Sequence, residues 1–223
     1  MEQFERIIPF FEDYEKITSF KVAIVGVGGV GGVCAITLAR SGVANFILCD
    51  FDKVVKNNIN RQVVANLKTI GLYKVDVLEE MIKDINPNAS IIKIKEPFNK
   101  DSILFNYDFD ILVDAIDDVD NKYLLIKECI SRNIPIISSM GTAKKTDIKK
   151  LQITDINKTS YDPLAKIIRK KMREENVNLK FMCLSSTEEV KIPGTMLASY
   201  MPVTASAGLM IADYVIKKIG GLE

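Results

Sequence analysis

The chain contains no histidine among its 223 residues. That removes the usual general acid–base near neutral pH and the commonest metal ligand, so chemistry must run on carboxylates, Lys, Arg, hydroxyls, thiols, backbone groups or bound ions. It also lacks any Cys-x-x-Cys pair; Cys34, Cys49, Cys129 and Cys183 stand far apart among apolar neighbours. Such spacing argues against structural zinc and for small core residues. No apolar run reaches the roughly 18 residues of a membrane span, and MEQFERIIPF lacks the basic-then-apolar order of a signal peptide. The expectation is a cytoplasmic protein with no membrane segment. Bulk charge is absent too: 30 basic against 29 acidic residues leave +1, which does not announce a nucleic-acid binder but leaves room for a local basic patch. No repeat, low-complexity tract or linker interrupts the chain.

What is present is alternation. Lys21–Val25, Asn45–Cys49, Ser90–Ile94, Asp110–Ala115 and Ile134–Ser138 read as strands, separated by helical segments at Val30–Arg40, Leu72–Ile85 and Asp120–Arg132. In the second helix Leu72, Val75, Leu78, Met81, Ile82 and Ile85 share one face; Gly42 and Pro87 punctuate helix ends. This order predicts a Rossmann-like α/β fold, a mostly parallel sheet with helices on both faces and a nucleotide site at the carboxyl ends of the strands. Residues 1–140 form the expected nucleotide-binding core. Residues 141–223 form a C-terminal extension of strands and helices within the same domain. It holds a strand at Leu151–Thr154 and a helix from Asp162-Pro163 to about Glu175 with Leu164, Ile167, Ile168 and Met172 on one face. A loop over 176–200 with one short strand at Phe181–Leu184 follows, then an apolar helix at Pro202–Ile219.

Five glycines, Gly26, Gly28, Gly29, Gly31 and Gly32, separate the first strand from its helix. Backbone without side chains approaches phosphate closely, and the helix N-terminus adds amide donors and a positive dipole end. Tight packing of helix on strand explains at most one of the five. Asp50 ends the second strand, where a carboxylate accepts bonds from ribose hydroxyls. Taken alone, this fingerprint favours a dinucleotide and an oxidoreductase. The following Asn58-Ile59-Asn60-Arg61-Gln62 and Lys74 offer two positive charges, a clamp suited to a polyphosphate that loses pyrophosphate, although a solvated polar loop reads the same way. Asp114-Ala115-Ile116-Asp117-Asp118 closes the fourth strand; a carboxylate there holds magnesium on phosphates, or caps the next helix, for which Asp118 and Asp120 are better placed.

Taken in order, G-V-G-G-V-G-G, the D-F-D at Asp50–Asp52, N-I-N-R-Q, Lys74 and D-A-I-D resemble the adenylating domain of the ubiquitin-activating-enzyme-like superfamily, which includes the thiamine- and molybdopterin-pathway adenylyltransferases. The resemblance covers about residues 1–140. It implies cleavage of ATP between its α and β phosphates to activate a carboxylate as an acyl-adenylate. It further implies that Gly26, Gly28, Gly29, Gly31, Asp50 and Asp52 hold the nucleotide, that Asn58, Arg61 and Lys74 bind its phosphates, and that Asp117 holds magnesium. Arg61, Lys74 and Asp117 are then the catalytic group. Arg6 is the candidate for an arginine that reaches a partner subunit's site.

The second half narrows the resemblance. "LQITDINKTSYDPLAKIIRKKMRE", "FMCLSSTEE" and "MPVTASAGLMIADYVIKKI" are similar to the tRNA threonylcarbamoyladenosine dehydratases. The implied reaction adenylates the threonyl carboxylate of threonylcarbamoyladenosine in tRNA; a neighbouring carbamoyl atom displaces AMP and closes a ring, with net loss of water. An intramolecular nucleophile is already in place, so no enzyme thiol is needed. The family also implies a monovalent cation (potassium or sodium), a homodimer in which the Pro202–Ile219 helix buries a face, and a sulfur-transfer partner. Longer relatives carry a cysteine-containing segment that is shortened here, and Cys183 does not replace it. Lys144, Lys145, Lys149 and Lys150, with Lys166, Arg169, Lys170, Lys171 and Arg173 on the Asp162-capped helix, are candidates for a tRNA patch or a solvated basic face; Lys144, Lys145, Lys166, Arg169 and Lys170 are the assigned contacts. The alternative substrate is the C-terminal glycine of a small ubiquitin-like sulfur carrier, which the missing Cys-x-x-Cys pairs disfavour.

Overall fold

Alternation within a single strand divides the core of the molecule into two layers. In β1 (Lys21–Val25), Val22 and Ile24 join one apolar cluster while Ala23 and Val25 join another, as period-two side-chain geometry requires. The computed structural model describes residues 2–177, 180–190 and 198–221.

The further strands are β2 (Asn45–Cys49), β3 (Ser90–Ile94), β4 (Ile111–Asp114), β5 (Ile136–Ser139), β6 (Leu151–Asp155) and β7 (Met182–Ser186). Among the described residues these seven form one sheet in the order β3-β2-β1-β4-β5-β7-β6. All neighbours pair in parallel except β6, which runs against β7. The helices are α1 (Tyr14–Ser19), α2 (Gly31–Arg40), α3 (Lys74–Ile85), α4 (Val119–Ser131), α5 (Pro163–Glu174) and α6 (Met201–Gly220). Ile17 of α1, Leu38 of α2, Leu78 and Ile82 of α3 and Ile211 and Val215 of α6 cover one face of the sheet. Leu125 and Ile126 of α4 and Ile168 and Met172 of α5 cover the other. The expected α/β architecture with helices on both faces is therefore present. Strand order reverses between β1 and β4, and ligands of such sheets sit beyond the carboxyl ends of the strands at that point.

Four local expectations change. Helix α3 begins at Lys74, not Leu72: a bridge between Lys53 and Tyr73 keeps the chain extended up to the N-cap, and Leu72 is exposed. On α5 the buried residues are Ala165, Ile168 and Met172, while Ile167 faces outward. Gly42 follows the C-cap Ser41 with φ 100°, one position beyond the cap itself. Finally, the short strand expected at Phe181–Leu184 is β7, Met182–Ser186, an interior strand between β5 and β6. Its serines disguised it. Ser185 Oγ donates to Asp162 Oδ2 (3.4 Å) and Ser186 Oγ accepts from the Glu188 amide (3.1 Å), so both hydroxyls are buried with partners. Within the loop expected over 176–200, residues 178–179 and 191–197 lie outside the described residues.

Candidate active site

The turn from β1 to α2 is built from two glycines that packing demands and one that it leaves open. Gly26 has φ 87°, and a Cβ there would lie 2.7 Å from the Ala115 carbonyl oxygen. A Cβ on Gly31 would lie 1.9 Å from the Gly26 oxygen. Packing thus explains at least two of the five glycines, more than expected from sequence, because the β4–α4 loop presses down on this turn. At Gly28 an added Cβ would meet only the Gln62 side chain, at 3.6 Å. The N-cap of α2, Val30, supplies no side-chain hydrogen bond; Gly32 N donates to Gly28 O (3.0 Å) and Cys34 N to Val30 O (3.0 Å), while the amides of Gly31 and Val33 have no acceptor among the described residues and face a ligand. Gly31→Ala is expected to displace the turn by more than an ångström, costing about 1–3 kcal/mol by overpacking. Thermal unfolding together with ATP titration checks this: a variant with unchanged melting and unchanged ATP affinity contradicts the packing.

Asp50 pins this turn from β2. Its Oδ2 accepts the Val27 amide (2.9 Å) and its Oδ1 the Asp52 amide (2.8 Å). Burial pushes the Asp50 carboxyl up, opposed by the Lys74 ammonium and by those two amides. Each oxygen retains a lone pair for a further donor such as a ribose hydroxyl. Asp52 turns instead to Lys74, whose Nζ it meets at 2.6 Å; the lysine is buried and the aspartate half exposed. Asn58 is buried with its amide committed to its own loop, accepting from Val55 N (3.2 Å) and donating to Asn57 Oδ1 (3.0 Å). Arg61 Nη1 donates to Asn57 O (2.9 Å) and Asn60 Oδ1 (2.8 Å).

Two residues beside this turn had no role assigned from sequence. Gln62 is buried against Gly28, and its Oε1 has no donor among the described residues. Thr204, at the start of α6, packs its Cβ and Oγ1 against Gly29. Gln62 was legible within N-x-N-R-Q. Thr204 was not, since nothing in the sequence joins it to the glycines.

The β4–α4 loop stands on a buried ion pair. Lys122 Nζ reaches Asp114 Oδ2 (2.7 Å), Ser139 O (3.0 Å) and Ser138 Oγ (3.3 Å), and Ser138 donates to the same Asp114 oxygen at 2.5 Å. Both charged side chains are fully buried. Asp114 Oδ1 accepts the Ile116 amide (3.2 Å), which shapes the loop carrying Asp117. Asp118 caps α4 by accepting Asn121 N (2.8 Å), and Asp117 is left exposed beside it. No cluster of three His, Cys, Asp or Glu residues able to hold a metal occurs among the described residues.

Residues 3–223 match the ThiF family. The chain belongs to the ThiF family. The ThiF-family relatives most like it in sequence include the tRNA threonylcarbamoyladenosine dehydratase of Bacillus subtilis, 44% identical over 79% of this chain and 70% of that protein. The Escherichia coli protein of the same name is 33% identical over 79% of this chain and 70% of its own. The crystal structure of the E. coli tRNA N6-threonylcarbamoyladenosine dehydratase in complex with ATP superimposes with a TM-score of 0.92 at 29% identity, covering 98% of this chain and 93% of that one.

This ThiF-family chain buries all four cysteines. Burial pushes the thiols of Cys49, Cys129 and Cys183 up to about 12 and that of Cys34 higher still, so none is a thiolate nucleophile near neutral pH. No helix among the described residues is long and apolar enough to cross a membrane.

The basic patch needs one correction. Lys145 is buried, its Nζ meeting the Tyr161 and Glu188 carbonyls, and so cannot belong to a solvent-facing surface. It braces the loop after β5 against the start of α5 beside buried Asp162, which accepts from Gly141 N (3.1 Å) and Ala165 N (3.1 Å). Lys166 and Lys170 are exposed on α5; Lys144 is half-buried, and Arg169 is half-buried with Nη1 donating to Ile156 O (3.2 Å) and Thr159 Oγ1.

Glu188 closes the same loop, accepting Thr146 N (2.8 Å), Thr146 Oγ1 (3.0 Å) and Asp147 N (2.9 Å). Burial raises its carboxyl, but those bonds outweigh burial and hold it below the ordinary 4.5. A depressed folded value means stability that is complete above 4.5 and lost as pH falls through the folded value. Glu188→Gln is expected to lower stability at pH 7 and to flatten that acid limb, measured by denaturant unfolding from pH 3 to pH 7; an unchanged limb contradicts the assignment.

Proposed function

We propose that the protein converts threonylcarbamoyladenosine in tRNA to its cyclic form with loss of water, using ATP to activate the threonyl carboxylate. The observation that carries this reading is its end-to-end likeness to the E. coli dehydratase solved with ATP. The buried, donorless Gln62 oxygen and the open backbone at Gly28 support a nucleotide in the cradle.

The carboxylate attacks the α-phosphorus and pyrophosphate leaves. Amides of the glycine turn and the α2 N-terminus bind phosphate oxygens, and Asp50 takes the ribose. Arg61 and Lys74 offset charge developing on pyrophosphate, for which Lys74 exchanges Asp52 for a phosphate. Asp52 and Asn58 set the positions of Lys74 and the 55–62 loop. Asp117 would hold magnesium, which would supply positive charge against the phosphates. A carbamoyl atom then attacks the acyl carbon, loses its proton, and AMP departs with the former carboxylate oxygen. No thiol step is needed, in keeping with four buried cysteines.

Residues 1–140 supply the nucleotide side of this single domain and 141–223 the substrate and dimer side. Lys144, Lys166, Arg169 and Lys170 face tRNA. The exposed Tyr200, Met201 and Leu209 near and on α6, with Leu67 and Leu72, suit a two-fold homodimer, in which Arg6 reaches across. A sulfur-transfer partner, a cytoplasmic setting and a monovalent cation complete the reading; the carbonyls of Tyr161 and Glu188, which meet the Lys145 ammonium, are donors of the kind such a cation takes. The carrier-protein alternative is the weaker reading, since the chain has no Cys-x-x-Cys pair.

The test is incubation with ATP and tRNA bearing threonylcarbamoyladenosine. AMP and pyrophosphate should form only with the modified tRNA, and nucleoside mass spectrometry should show the loss of one water. Equal ATP turnover with unmodified tRNA overturns the reading. Asp117→Ala should abolish adenylation with melting unchanged; retained activity removes it from the metal role.

A further inference from the structure

At the opposite end of the sheet from the glycine turn lies a cleft of about 720 Å³ lined by Asn157, Arg169, Met172, Arg173, Asn176 and Val177. Its position follows from topology. Strand β6 runs against β7, so Asn157, just past the end of β6, lies near the amino end of β7, while the glycine turn sits beyond the carboxyl ends of the strands. The cleft is therefore separate from the adenylation machinery.

We infer that this cleft binds the sugar–phosphate backbone of the tRNA at a distance from the reacting nucleoside. The inference rests on the reading of the protein as a tRNA-modifying enzyme and extends its RNA footprint down α5. The lining contains two guanidinium groups and two neutral amides but no carboxylate. That is the donor-rich, acceptor-poor chemistry of a phosphate site. Arg169 is set in place: one terminal nitrogen binds Ile156 O and Thr159 Oγ1, leaving three other N–H donors for a ligand. Arg173 follows one turn later, about 6 Å along the helix, and forms no ion pair with another described residue. Other cations nearby are committed. Lys171 meets Asp120 at 2.7 Å, and Lys127 meets Glu175 at 2.5 Å. Lys170 lies only 3.5 Å from Glu174 with both side chains well exposed, a pair that phosphate readily displaces. Lys166, Arg169, Lys170 and Arg173 thus recur at three- and four-residue spacing along one helix, joining the cleft to the substrate side. Such a second anchorage favours a whole tRNA over a free nucleoside, because backbone contacts position without reading sequence.

The experiment measures binding of purified tRNA at several salt concentrations to the intact protein and to Arg173→Gln, Arg173→Lys and Arg169→Gln, with ATP affinity as the control for folding. Arg173→Gln should weaken binding about three- to tenfold and reduce the slope of log K against log salt by about one. Its KM for tRNA should rise more than kcat falls. Arg173→Lys, which keeps the charge, should restore the slope. Because Arg169 also ties down the 156–159 turn, Arg173 is the deciding position. Salt slopes that are the same for wild type and Arg173→Gln overturn the inference, even if the wild type dehydrates tRNA. A wild type that binds tRNA with the predicted slopes yet leaves ATP intact supports the cleft and overturns the dehydratase reading instead.

Discussion

Lys122→Ala is expected to lose about 3–5 kcal/mol of folding stability, because it leaves the Asp114 carboxylate buried without its cation. For a chain of this size that corresponds to a fall in Tm of roughly 6–20 °C. The ammonium also bonds Ser138 Oγ and the Ser139 carbonyl, so its removal disturbs the ends of β4 and β5 together. A buried pair of this kind seldom stabilises more than apolar residues of the same volume would. The double variant Asp114→Leu with Lys122→Met should therefore recover most of the lost stability. Adenylation should not recover with it, since the Asp114 bond to the Ile116 amide, which shapes the loop bearing Asp117, is gone. Calorimetry of the three proteins, paired with ATP-dependent AMP release, separates these effects. A single variant melting within a degree or two of wild type, or a double variant with full activity, contradicts the account.

Arg61→Ala is expected to lower kcat by about 100- to 1,000-fold while raising the KM for ATP far less. In this structure the guanidinium is held by Asn57 O and Asn60 Oδ1 through one nitrogen. Its position is fixed in advance, so under the proposed reaction its charge is expected to act chiefly on the pyrophosphate that develops in the transition state. Arg61→Lys should recover only part of the rate, as a point charge lacks the fork. Steady-state kinetics with modified tRNA decides the matter. A large rise in KM with kcat preserved makes Arg61 a binding residue and removes it from the transition state.

The parallel sheet and its helices were legible because apolar runs and helical spacing recorded them within a few residues. The glycine turn, Asp50, N-I-N-R-Q and Lys74 were legible as motifs of a known family, and the fold does bring them together: Asp50 bonds the Val27 amide, Gln62 lies at Gly28 and Lys74 meets Asp52. Three features besides Thr204 were not. Lys122 lies eight positions from Asp114, a spacing with no local meaning, and only the fold brings them together. Lys145 looked like one more cation in a basic run, and its burial depends on Tyr161 and Glu188 from other segments. Ser185 and Ser186 gave β7 the composition of a loop, because the partners that let serines be buried come from elsewhere in the chain.

The contact between Thr204 and Gly29 has a consequence for the order in which the protein becomes functional on the ribosome. The glycine turn emerges well before α6, yet a wall against it belongs to that helix. The strand and turn that carry the nucleotide signature are thus synthesised early and completed late, with nearly the whole chain between them. The turn is then walled only once α6 has been made, and a nascent chain stalled before α6 would expose the α2 face that this helix covers.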